Sequence, residues 1–93
     1  MHIPARVGRR SGVVLNVSHR GVRVRHPGSL KPSELVDLAF PCGGGQFVSR
    51  ARVLSCRAMP LKDADGQMVF ESRFAFANPS PEAMALLDKF LER

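Results

Sequence analysis

Ninety-three residues with 44% apolar side chains make one globular domain with a modest core, which excludes a disordered chain and a multidomain assembly. No apolar run approaches the ~18 residues that a membrane-spanning helix needs. The net charge of +6 is uneven: residues 1–33 hold 7 basic side chains and no acid, whereas residues 34–93 hold 7 basic and 8 acidic ones. The positive excess therefore belongs to the first third of the chain. Eleven of the 14 basic residues are Arg, which favours planar, forked recognition of a phosphate or a base edge over a diffuse lysine cloud. The N-terminus lacks a charged segment followed by an apolar stretch, so we expect no signal peptide. Cys42 and Cys56 make neither a disulfide framework nor a zinc site and read as reduced thiols of a cytoplasmic protein.

Residues 3–7 form a short extended stretch that Pro4 confines to an edge strand or an arm. Residues 8–12 form a basic turn. Residues 13–18 alternate, with Val13, Leu15 and Val17 expected inward and Asn16 and Ser18 outward. Residues 21–26 return with Val22 and Val24 inward and Arg23 and Arg25 outward. Residues 27–32, rich in Pro, Gly and Ser, form a loop. Residues 35–40 alternate again, with Val36, Leu38 and Phe40 on one face. The Gly43-Gly44-Gly45 run lacks the Lys-Ser/Thr and the helix of a P-loop and reads as a flexible hairpin tip. Residues 46–57 form a long strand with Phe47, Ala51 and Val53 inward. Asp65-Gly66 marks the next hairpin turn. Residues 67–77 return with Phe70, Phe74 and Phe76 on one face and Glu71 and Arg73 on the other. Ser80, Pro81 and Glu82 then open a helix running to about residue 92, whose apolar residues cover one end of the sheet. Six short strands at regular spacing predict a small antiparallel barrel or sandwich, and a barrel removes exposed edges.

Chemistry is concentrated at Asn16-Val17-Ser18-His19-Arg20-Gly21. Asn and Ser side chains fold back on the backbone in a tight reversal, and Gly accepts a positive φ. Arg9 and Arg10 precede the hairpin; Arg20, Arg23 and Arg25 lie in or after it. Such a hairpin suits a phosphate-bearing ligand.

The pattern Asn16-x-Ser18-x-x-Gly21, the strand Arg50-Ala51-Arg52-Val53, the returning Arg73-Phe74-Ala75-Phe76 and the closing helix together resemble the PilZ domain, the bacterial receptor module for cyclic di-GMP. The resemblance covers most of the chain. It implies an all-β, six-stranded antiparallel barrel of split-barrel type closed by a C-terminal helix, with no catalysis. The expected organisation is a single domain over residues 1–93: a basic arm and first strand at 1–12, the barrel at 13–77 and the helix at 81–92. The family also carries Arg-x-x-x-Arg before its first barrel strand. Arg6 and Arg10 have that spacing, yet Arg10 lies only six residues before Asn16, where the family has a strand and a turn. A second alignment places residues 3–7 in the first strand, 8–12 in the turn and the arginine pair upstream of Met1; it supplies the strand that closes the barrel.

The resemblance implies a ligand set of Arg6, Arg9, Arg10, Asn16, Ser18, Gly21 and Arg23, with cyclic di-GMP as ligand and no cofactor or metal. It further implies a cytoplasmic bacterial receptor, monomeric or weakly dimeric, that signals to a protein partner or neighbouring domain without inserting in a membrane. The alternative is a divergent PilZ-like adaptor that binds proteins of type IV pilus assembly or motility and not the nucleotide. DNA or RNA binding is disfavoured because the chain has no Trp or Tyr and its Phe residues fall on core faces. An enzyme is disfavoured too: Ser18 and His19 are strand neighbours pointing to opposite faces, and His2, His19 and His26 have no metal-gathering spacing.

Overall fold

The computed structural model describes residues 2–92. It contains β1 (Ile3–Val7), β2 (Arg10–Val17), β3 (Gly21–Pro27), β4 (Leu35–Cys42), β5 (Gly45–Lys62), β6 (Met68–Ala77) and α1 (Pro81–Leu91). The strands form a closed antiparallel barrel in the order β1-β2-β3-β6-β5-β4. This is the six-stranded, helix-capped barrel expected above.

Alternation builds the core. Val7, Val14, Val24, Leu38, Phe40, Phe47, Ala51, Val53 and Phe74 point inward and are buried. Phe40 stacks on Phe47 at 5.0 Å, and Phe47 meets Phe76 at 4.7 Å. Two differences from strict alternation occur in β2. The strand begins at Arg10, because the turn needs only Gly8, at φ 62°, and Arg9. The register with β3 then slips between Val14 and Asn16. This bulge puts Val14 and Val17 inside and leaves Val13 on the surface, so the expected inward set of Val13, Leu15 and Val17 is corrected at its first two members. Asn16 stays outward, opposite Arg23.

The β1 strand pairs with β2 along its whole length, but with β4 only at Arg6 and Val7. Pro4 lies beyond that short seam, where its missing N–H costs no ladder bond. Cys42 and Gly45 close the β4–β5 hairpin around Gly43 and Gly44, both at positive φ. A Cβ on Gly43 would meet the Leu86 carbonyl of α1, so the glycine tip is a packing surface for the helix. In α1, Ser80 Oγ accepts from Ala83 N at 3.1 Å, and Ala83 and Leu87 bury themselves in the barrel end.

The core also holds a polar pair. His26 Nε2 lies 2.7 Å from Ser72 Oγ, and both residues are buried. Phe70 stacks on the imidazole at 6.5 Å. Burial, with the Arg10 charge nearby, holds His26 below its ordinary value near 6.5.

Candidate ligand-binding site

The β2–β3 hairpin is wound by its own side chains. Ser18 N donates to Gly21 O at 2.9 Å, Ser18 Oγ donates to the same carbonyl at 3.3 Å, and Arg20 N donates to Ser18 Oγ at 3.4 Å. The hairpin is then tied to β6, because Phe76 N donates to Arg20 O at 3.0 Å. Gly21 has a different reason from the one its sequence suggested. It is not among the positive-φ glycines; a Cβ there would fall on the Phe74 carbonyl. Glycine is required so that β3 can approach β6.

Beside this hairpin lies a cavity of about 680 Å³ on the outer barrel wall. Its polar lining comes from Asn16, Ser18, Arg20, Arg23 and Arg73; Leu54 and Ala75 supply apolar surface. Among the described residues, no acidic one lines it. Arg23 and Arg73 are direct cross-strand partners on β3 and β6. Like charges placed opposite one another destabilise a sheet unless an anion sits between them. Glu71 partly relieves the repulsion: its carboxylate lies 3.6 Å from Arg23, 3.5 Å from Arg25 and 3.9 Å from Arg57. Arg73 and Arg20 form no ion pair among the described residues, and the Asn16 amide makes no hydrogen bond among them. Free guanidiniums, a free amide and an apolar wall are the elements that bind a phosphate and a base together.

Of the seven residues expected at the site, the structure brings Asn16, Ser18, Gly21 and Arg23 together. It places the other three elsewhere. Arg9 and Arg10 line a second groove of about 650 Å³, shared with Arg25, Leu61, Asp63 and Asp65. Arg10 donates to Ser29 O at 3.2 Å there. Arg6 sits in a smaller cavity beside the β1–β4 seam, with Ala39 and Gln46. The residues 3–7 are thus the first barrel strand, as the second alignment required.

Arg20, Leu54 and Arg73 also line the cavity, beyond the residues expected there from the sequence. Arg73 becomes visible only through the register Arg23↔Arg73. Leu54 faces outward by the same alternation as Arg50 and Arg52, and the register with β6 sets it beside the cavity.

The chain is thus a closed six-stranded barrel with a basic cavity beside a motif hairpin. The PilZ domain family model matches residues 2–93, essentially the whole chain, and the protein belongs to that family. PilZ domains are binding and regulatory modules known as receptors for cyclic di-GMP. No curated protein and no solved structure matches the chain. No helix among the described residues is long and apolar enough to cross a membrane, and no cluster of metal-ligating side chains occurs among them.

Proposed function

We propose that this domain binds cyclic di-GMP in the cavity beside the β2–β3 hairpin and passes the signal to a partner protein or neighbouring domain, without catalysing a reaction and without a cofactor. The observation that carries the reading is the Arg23–Arg73 pair in one cavity with Asn16 and Ser18. Each phosphate of the ligand offers oxygens to a guanidinium fork, and each guanine offers O6 and N7. In this reading Arg73 and Arg20 are the free cations, Arg23 is aimed by Glu71, and Asn16 takes a base edge. Ser18 keeps the hairpin wound, and Leu54 supports a base by apolar contact.

Isothermal titration of the domain with cyclic di-GMP tests this, with GMP as the control. Arg73→Ala should weaken binding at least about tenfold, the loss of one charge-assisted contact. Arg10→Ala should leave it unchanged, because Arg10 lies in the other groove. Equal losses in both variants would move the site. Absence of heat with the native chain would favour the adaptor reading, which is supported by the separation of Arg6 and Arg10 from the cavity.

A further inference from the structure

Strand alternation places six arginines on the outward face of three adjacent strands: Arg23 and Arg25 on β3, Arg73 on β6, and Arg50, Arg52 and Arg57 on β5. The one acid on these three strands is Glu71, and Lys62 ends β5, so this side of the barrel is strongly positive. The register concentrates the charge further: Arg25 and Arg57 both face Glu71, and Arg23 faces Arg73. Glu71 is already shared among three guanidiniums and has nothing left for Arg73. Among the described residues Arg52 donates only to the Ser33 carbonyl, and the Arg50–Asp37 pair is widely exposed and weak.

In the middle of these charges stands Leu54. It continues the outward alternation of Arg50 and Arg52, and 53% of it is exposed between Arg52 on its own strand and Arg73 on the next. Arginine is enriched in protein–protein hot spots, and an exposed apolar residue among the guanidiniums offers a contact that excludes water from them. A nucleic acid fits less well. The aromatic residues of β6 face inward: Phe70 on His26, Phe74 in the core and Phe76 on Phe47, which leaves no platform for base stacking. A planar bilayer would meet only the crest of a curved barrel wall, whereas a polypeptide can follow it.

We propose that this face docks an acidic segment of a partner protein carrying one bulky apolar side chain that packs on Leu54, and that cyclic di-GMP competes with this segment for Arg23 and Arg73. The competition rests on the ligand reading above; the docking face stands without it. Binding the second messenger then covers the centre of the face with negative charge, and the acidic segment is released.

The test is fluorescence anisotropy of a labelled peptide with Asp and Glu on both sides of a central Leu, titrated with the whole chain at near-physiological salt. Arg52 and Arg57 lie outside the ligand cavity, so Arg52→Ser and Arg57→Ser should each weaken the peptide about fivefold while leaving the cyclic di-GMP titration unchanged. Arg57→Lys, which keeps the charge, should retain most of the affinity. Changing the peptide's Leu to Ser should weaken it with the native protein. Saturating cyclic di-GMP should displace the peptide. No peptide binding, or binding indifferent to both Ser variants, overturns the docking face. A single-stranded oligonucleotide of equal charge that binds more tightly through the same arginines also overturns it, in favour of a nucleic acid surface. Peptide binding without any response to cyclic di-GMP removes the ligand reading and the competition while leaving the acidic partner in place.

Discussion

Two residues show how local chemistry decides what the fold permits. Gly21 lies so close to β6 that a methyl group has nowhere to go but into the Phe74 carbonyl. Gly21→Ala should therefore destabilise the domain by about 1–3 kcal/mol through overpacking. The cost should appear as a lower urea midpoint with an unchanged slope. His26 acts in the opposite way, as a polar group the core accepts because Ser72 and the Pro27 carbonyl partner its ring nitrogens. Its pKa is depressed by burial, so below pH 6.5 the unfolded chain binds a proton that the folded chain refuses. His26's contribution to stability is full above that value and is lost as pH falls towards the folded-state pKa. Urea midpoints at successive pH values below 6.5 should decline. The decline should be smaller in a variant carrying His26→Leu with Ser72→Ala, and an equal decline in both proteins would assign the effect to other groups.

At the scale of elements, α1 is the piece held most by side chains and least by backbone. Its seat is Leu87, fully buried, and Ala83, with Met84, Phe90 and Leu91 packed around them. Leu87→Ala should cost about 2–5 kcal/mol, whereas Ser80→Ala should cost about 1 kcal/mol by removing the bond to Ala83 N. Thermal unfolding of the two variants separates seat from cap; a larger loss from Ser80→Ala would mean the helix is not anchored by its apolar face. The same helix was fully legible in the sequence, because Ser80-Pro81-Glu82 and the apolar spacing are local signals. The strands and their inward Phe, Leu and Val residues were legible for the same reason. The bulges were not. A bulge is set by how a partner strand pairs, so Val14 replaced Val13 in the core with no local mark, whereas Leu54 follows the outward alternation of Arg50 and Arg52. The site was half legible: a six-residue motif announces Asn16, Ser18 and Gly21. Arg73, 50 residues after Arg23, joins them only through strand pairing.

For the whole molecule, the distribution of charge matters more than its total. Most of the arginine charge stands on one barrel wall, while Asp63 and Asp65 sit at the β5–β6 tip and Glu82, Asp88 and Glu92 belong to the helical end. Exposed charge of this kind is screened over about 8 Å at physiological ionic strength. Cyclic di-GMP affinity should accordingly fall steadily as salt is raised, measured by titration calorimetry across a salt series. An affinity indifferent to salt would mean that neutral contacts, not the guanidiniums of Arg20, Arg23 and Arg73, hold the ligand. One feature of the architecture reaches beyond this domain. Ile3 of β1 lines the same cavity as Lys89 and Phe90 of α1, so the first strand starts where the last helix finishes. A fold whose two ends meet can be spliced into a surface loop of a host protein without forcing that loop apart. In the vocabulary of protein engineering it is a cassette: a barrel that plugs into a foreign scaffold through a single doorway.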